Sequence, residues 1–277
     1  MWPYQGTDTF SGTTYEANFV PVNPNKYNAR SGNTAAYLST ELSLFRNFRA
    51  IIGLRAENYT QRYTGQDQLG TNVLNDKVVL DNLDFFPQST WYFNVSEKQN
   101  VRFSYGKTIA RPSFKEMSYA EISDPISNRT FIGGMFRDAD DVSGTEYWDG
   151  NLVNTYIQNL DVRWEWYHSQ GQMISLSGFY KMFENPIEIV QYATTMKGSF
   201  QPRNVGDGQV IGVETEFRQN LDIVAQAFEN FSLTGNISFT SSRIDMSLTE
   251  YQSRVENARA GQTIEEAREM AGQAPLL

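Results

Sequence analysis

The chain has 277 residues, 40% apolar and 14% aromatic, and this aromatic share excludes a wholly disordered chain. No apolar run reaches the length of a helical membrane span and the mean hydropathy is −0.50; a transmembrane barrel stays open, because its strands alternate and average to a polar value. A net charge of −9 disfavours nucleic acid as a partner, and the absence of cysteine removes disulfides and every Cys-based metal or nucleophile site.

Residues 1–32 are rich in Gly, Pro, Asn, Ser and Thr and read as a loop-like end. The start, Met1 to Gly6, has neither a basic n-region nor an apolar h-region, so no signal peptide is expected. Either the chain is cytosolic or its natural beginning is missing. Period-two alternation then dominates. Ala36, Leu38, Leu42 and Leu44 alternate with Tyr37, Ser39, Glu41 and Ser43. Ala50, Ile52, Leu54 and Ala56 alternate with Arg49, Arg55 and Glu57. Trp91, Phe93 and Val95 alternate with Thr90, Tyr92 and Asn94, and Val101, Phe103 and Tyr105 with Arg102 and Ser104. Further on, Leu160, Val162, Trp164 and Trp166 oppose Asp161, Arg163 and Glu165, and Ile174, Leu176 and Tyr180 oppose Ser175, Ser177 and Lys181. Ile211, Val213 and Phe217 oppose Glu214, Glu216 and Arg218. Phe231, Leu233, Ile237 and Phe239 oppose Thr234, Asn236 and Ser238. This predicts about eight strands of roughly 10 residues, the length of a tilted transmembrane strand.

The connections alternate as well. Short polar turns are predicted at Arg46-Asn47, Ser96 to Asn100 and His168 to Gly171, with long loops over roughly 60–84, 111–155 and 183–207. Such alternation suits an up-and-down barrel with short turns at one end and long loops at the other. Between Gln219 and Asn230, Leu221, Ile223, Val224 and Phe228 suggest strand extensions. Residues 245–277 form a second loop-like end, with a short helix expected from the spacing of Val255, Ala258, Ile264 and Ala267.

Alternation alone leaves a soluble sandwich and a barrel both open. Two details favour the barrel. Aromatics concentrate near strand ends (Tyr59, Phe85, Phe86, Trp91, Tyr105, Trp164, Trp166, Tyr180), as interfacial girdles require, and the runs exceed ordinary sandwich strands. Lys107 shares the apolar parity of Val101 to Tyr105, at a strand end from which it can snorkel.

Ile52-Gly53-Leu54-Arg55-Ala56-Glu57 resembles the GLRxE strand of TonB-dependent outer-membrane receptors. Phe86-Pro87, Trp91-Tyr92 and the run Val101 to Pro112 are similar to that family's hairpin ending in Arg-Pro. Asn159-Leu160-Asp161, Phe179-Tyr180-Lys181, Asn185-Pro186-Ile187, Asn204-Val205-Gly206, Gly212-Val213-Glu214 and Phe231 to Asn236 continue in family order, and Gly272 to Pro275 resembles the lead-in to a further strand. The resemblance implies an all-β, antiparallel, up-and-down transmembrane β-barrel segment: about eight strands of a barrel of roughly 22, with long extracellular loops and a plugged lumen. It implies residues 1–277 as a partial barrel domain, a middle-to-late piece without the plug. The implied function is capture and TonB-energised import of a siderophore, vitamin or glycan at the outer membrane of a Gram-negative bacterium, without enzymatic chemistry and without a cofactor or metal. The implied partners are outer-membrane lipid, the TonB complex acting through the plug region, the small-molecule or glycan ligand, and a surface lipoprotein.

On this reading Arg49, Arg55, Glu57, Arg102, Arg163, Glu165, Glu214 and Glu216 line the lumen, and Leu233→Arg is expected to be costlier than Thr234→Arg. Phe131, Phe136, Tyr147 and Trp148, in the long loop over 111–155, are candidate ligand contacts, since aromatics beside a few polar groups suit glycans or chelates. Packing within the loop explains them as well.

Other chemistry is weaker. The lone histidine, His168, has no partner for a triad or a zinc site and reads as a solvated turn residue. Gly106-Lys107-Thr108 lacks the upstream glycine of a phosphate loop, since Val101 stands there, and Gly206 and Gly208 lack the third glycine of a dinucleotide fingerprint. Glu214 and Glu216, about 7 Å apart along one strand face, suit a glycosidase pair or, more simply, lumen charges paired with Arg218 and cross-strand arginines. Arg137 to Asp141 offers oxygen ligands for Ca²⁺ but lacks EF-hand spacing. A secreted β-sandwich carbohydrate-binding module is the alternative to the receptor.

Overall fold

The computed structural model describes residues 23, 25–127, 129–137, 148–191, 199–245 and 251. Eight strands form one antiparallel sheet in the order β1 (Asn28–Phe45), β2 (Phe48–Gln66), β3 (Val73–Ser96), β4 (Gln99–Ala110), β7 (Thr155–Ser169), β8 (Gln172–Glu184), β11 (Gly208–Asn220) and β12 (Ser232–Ile244). Each of these neighbours its predecessor in sequence, apart from the excursions between β4 and β7 and between β8 and β11. A second, four-stranded sheet occupies those excursions: β5 (Glu121–Asp124), β6 (Arg129–Ile132), β10 (Ser199–Asn204) and β9 (Ile187–Gln191).

The main strands are 12 to 24 residues long, longer than the expected ten. The largest difference is at residues 60–84, expected as a long loop. Here β2 and β3 pair up to Gln66↔Val73 through two irregularities, so the connection shrinks to residues 67–72. Polar residues such as Asn58, Thr60, Arg62, Asp76 and Asp81 blurred the alternation without breaking the ladder. Likewise β1 begins at Asn28, inside the stretch 1–32 read as loop. The excursion over 111–155 is partly built by β5 and β6, and 183–207 by β9 and β10. Residues 221–228 form two 3-10 turns instead of strand extensions, because β11 ends at Asn220. The helix expected beyond 250 lies outside the described residues, Tyr251 excepted.

The registers join the apolar parities into continuous rows. One runs Trp91↔Phe103↔Val162↔Gly178↔Val213↔Phe239, and the next Phe93↔Val101↔Trp164↔Leu176↔Thr215↔Ile237. The apolar face is open: Leu54 is 47% exposed, Leu176 48%, Val213 49% and Phe239 74%. Two aromatics expected among the girdles, Tyr59 and Phe86, fall on the opposite, polar face, since they share parity with Glu57 and Arg55 across the ladder.

Compact packing is confined to the long-loop end. Tyr63, Leu80, Met117, Tyr119, Met135 and Leu152 form a buried cluster that joins β2 and β3 to the segment after β4. The Tyr63 hydroxyl accepts the Tyr119 amide proton at 3.2 Å, and its ring packs edge-on to Tyr119 at 6.3 Å. Gly133 permits a close crossing, since a Cβ there would sit 1.9 Å from the Ser118 carbonyl oxygen. Gln201, fully buried, donates to the Gly133 and Phe136 carbonyls at 3.0 and 2.7 Å and ties β10 to that crossing.

Two predictions follow from this region. Tyr63→Ala removes the largest fully buried ring and is expected to cost about 3–5 kcal/mol, as for other buried aromatic truncations. Limited proteolysis checks it: cleavage over residues 111–135 should accelerate while the eight-stranded sheet persists. The second concerns Asp67, which closes the 67–72 turn by accepting from the Thr71 amide (2.7 Å), the Asn72 amide (2.9 Å) and the Asn72 side chain (2.7 Å). Burial pushes its carboxyl up, but these hydrogen bonds outweigh it and hold the group below the ordinary aspartate range. A depressed folded value contributes stability above the unfolded one and loses it as pH falls through the folded one. Hydrogen exchange of the Thr71 and Asn72 amides should thus show constant protection from pH 7 to pH 5, decline only under more acidic conditions, and lose that pH dependence in Asp67→Asn.

Candidate functional site

The polar face carries two charge clusters. In the first, Glu57 is buried on β2 and accepts from Arg55 Nε at 2.6 Å, Arg111 Nη2 at 2.8 Å and Asn33 Nδ2 at 3.1 Å. The Arg111 guanidinium lies 4.4 Å over the Tyr59 ring and 3.6 Å from Asp84. Asp84, also buried, accepts from the Tyr156 hydroxyl at 2.6 Å. The cluster therefore draws on β1, β2, β3, β7 and the residue just past β4.

In the second cluster, Arg163 reaches along its own strand to Glu165 at 2.7 Å and across β8 to Glu216 on β11 at 3.0 Å, and it also donates to Ser177 at 3.2 Å. Glu214 accepts from Ser238 at 3.3 Å. Arg102 stands directly opposite Arg163 and makes no ion pair among the described residues. Arg49 pairs with Glu41 at 3.3 Å and lies 4.6 Å over Tyr92. All eight charges expected together thus share one face, in separate groups.

Arg218 is expected, together with cross-strand arginines, to pair with Glu214 and Glu216. It makes no ion pair among the described residues, while Arg163 spans the intervening strand. His168 is not simply solvated: its Nε2 lies 2.9 Å from Gln172 Oε1 and 3.1 Å from Gln219 Oε1, and its ring packs 5.3 Å from Trp166.

Three of the four candidate ligand aromatics are described, and they separate. Phe136 packs edge-on to Tyr119 at 5.9 Å, and the Trp148 indole donates to the Gly134 carbonyl at 2.7 Å while Arg203 covers its ring at 5.5 Å. Both are partly buried and pack against the buried cluster. Phe131 is different. It is 39% exposed and stacks on Phe200 at 5.6 Å, with Arg129 5.5 Å over the Phe200 ring. Tyr147, like Asp138, Asp140 and Asp141 of the acidic run, lies outside the described residues. Sequence reasoning missed Arg111 and Asp84, which sit just beyond or off the clearest alternation, and the Arg30–Asp76–Arg62 group near the loop end (2.7 and 3.2 Å).

The family model for "TonB dependent receptor-like, beta-barrel" matches residues 2–271. The chain belongs to this family. Among solved structures it is similar to the siderophore receptor PirA from Pseudomonas aeruginosa, at 14% identity and a TM-score of 0.53 over 79% of this chain and 44% of that one. It is also similar to the copper transporter OprC, at 14% identity and a TM-score of 0.54 over 78% of this chain and 30% of that one. For the ferric enterobactin receptor PfeA from Pseudomonas aeruginosa, as a G324V mutant, the figures are 13% and 0.50 over 76% and 26%. Among curated proteins, none matches significantly. The chain thus spans less than half the length of these structures, and at such identities they establish the fold alone.

The first cluster is open to a double-mutant test. Arg55 is half exposed and solvent screens its contribution, whereas Arg111 is mostly buried. Glu57→Gln is expected to cost about 1.5–3 kcal/mol, typical of a hydrogen bond to a charged group. Arg111→Gln should lose a similar amount, and the double variant clearly less than the sum. Denaturant titration of the full chain in detergent checks this.

Proposed function

We propose that the chain is wall of an outer-membrane receptor in a Gram-negative bacterium, one that captures a scarce nutrient and passes it inward with energy delivered through TonB. The observation that carries this is the sorting of the eight-stranded sheet into one open apolar face and one face of charges and hydroxyls. In lipid, backbone groups must pair within the protein, and an antiparallel ladder does that while alternation turns apolar side chains outward. A sandwich would instead cover its apolar face with a second sheet. Here Leu176, Val213, Ile237 and Phe239 remain open, and the four-stranded sheet belongs to the loop excursions.

On this reading the polar face lines the lumen. Arg49, Arg55, Glu57, Arg102, Arg163, Glu165, Glu214 and Glu216 hold one another or meet a plug, and none does bond chemistry. The long-loop end faces outward and receives the ligand, with exposed Phe131 and Arg129 and half-buried Phe200 as the aromatic and cationic contact. A siderophore, vitamin or glycan fits this role. The metal-handling names of the structural neighbours make a metal chelate the first to assay.

The test uses adjacent residues on β12. Leu233 is the second residue of that strand, too near its end for the full cost of a charge in lipid, so the mid-strand residue Ile237 replaces it as the probe. Ile237→Arg is expected to cost about 2–4 kcal/mol of insertion free energy, whereas Ser238→Arg, on the polar face beside Glu214, should cost under roughly 1. Equal losses on insertion of the full chain into vesicles would overturn the face assignment.

A further inference from the structure

The ladder between β3 and β4 is incomplete. Its last pair toward the loop end is Gln88↔Gly106. Past it, β3 continues along β2 to Val73, and β4 continues along β7 to Ala110. The next residue of β3 is Pro87, which has no N–H to donate. Two strand edges thus face each other without pairing, inside an otherwise continuous sheet.

A cavity of about 440 Å³ occupies this place, lined from both faces of the wall: Leu38, Leu54 and Lys107 from the apolar face, Arg55, Glu57 and Arg111 from the polar face. On β4 the gap opens where the apolar face ends. Tyr105 belongs to the row Tyr105↔Leu160↔Tyr180↔Ile211, and the next row is Lys107↔Gln158↔Met182↔Gln209↔Arg243. The Tyr105 and Tyr180 hydroxyls donate upward to Gln158 and Gln209 at 3.3 and 2.8 Å, as amphipathic rings do at a lipid boundary. Unpaired backbone edges are costly in hydrocarbon but tolerable where polar headgroups supply partners.

The charges select the headgroup. Lys107 has no ion pair among the described residues, and its ammonium rests 4.5 Å from the Tyr156 ring centroid. Behind it, Arg111 Nε–H is buried without a hydrogen-bond partner, as is Oδ2 of the 7%-exposed Asp84. On the other side, Ile52 and Phe103 are open on the apolar face, one and two rows inward of Lys107, where an acyl chain can lie.

We propose that the gap between β3 and β4 seats the phosphorylated headgroup of a membrane lipid, with Lys107 as its anchor and the acyl chains running inward along Ile52 and Phe103. This rests on the apolar face meeting lipid.

The full chain in detergent micelles, probed by native mass spectrometry with phosphatidylglycerol and phosphatidylcholine, tests it. Wild type should retain phosphatidylglycerol in preference to phosphatidylcholine. Lys107→Gln should reduce that preference about fivefold, the effect of one cation at an anionic lipid surface. Lys107→Arg should preserve it, and so should Arg243→Gln, because Arg243 occupies the same row but is already paired with Asp245 at 3.3 Å. Unchanged retention in Lys107→Gln, or an equal loss in Arg243→Gln, would overturn the site. Displacement of the lipid by millimolar inorganic phosphate would mark a free-anion site and overturn the lipid assignment. Vesicle insertion of the same proteins separates this from the underlying reading: a wild type that does not insert sinks the membrane assignment, whereas normal insertion with no lipid preference sinks the gap proposal alone.

Discussion

The structure depends on one constraint, that every main strand keeps its antiparallel register along at least one neighbour for eleven residues or more. In a pleated strand, successive side chains point to opposite faces, so a slip of one residue would exchange the two faces completely. The ladder from Trp91 through Phe103, Val162, Gly178 and Val213 to Phe239 never slips. Irregularities occur only toward the ends: between Ser43 and Phe45, Gln61 and Gly65, Asn94 and Ser96, and Trp166 and Ser169. The middle of the sheet therefore sorts its residues cleanly, and the ends are free to bend, turn and carry loops.

That sorting places formal charges side by side on the polar face, and the sheet manages them locally. Arg163 lies opposite Arg102 yet turns to Glu165 and, over β8, to Glu216. Glu57 is held from its own strand by Arg55, from β1 by Asn33 and from beyond β4 by Arg111. Those that leave their own strand join its neighbours through side chains, and the bonds of Arg111 do so where the ladder between β3 and β4 has stopped. They add little where both partners are exposed, as for Arg49 and Glu41, and most where Glu57 and Asp84 are withdrawn from water.

The eight main strands and their faces were legible in the sequence because period two survives in a one-residue-at-a-time reading. Val101, Phe103 and Tyr105 against Arg102 and Ser104 is a local signal. The second sheet was not legible, for three physical reasons. Its strands have only 4 to 6 residues, β6 and β10 pair in parallel across a long stretch of chain, and their neighbours were fixed by burial around Tyr63 and Gln201. The same non-local packing sets Phe136 and Trp148 against the buried cluster, while Phe131 stays open. Arg111 lies within the Val101 to Pro112 motif, but its role was not legible there, since past the last residue of β4 parity no longer says where a side chain goes.

Pro87 shows how a single residue can matter in such a sheet. Leu54↔Pro87 is a normal pair on the β2 side, so the strand is not broken and its parity is unchanged. Only the other edge is affected, because a residue without an N–H cannot serve a partner there. The wall then divides between two sub-sheets, β1 to β3 and β4 to β12, which remain joined below Gln88↔Gly106 by backbone and above it by side chains. Arg111, Asp84, Glu57 and Tyr156 are those side chains. Their convergence is thus not an independent feature of the site: it is what an antiparallel wall needs where its backbone ladder stops.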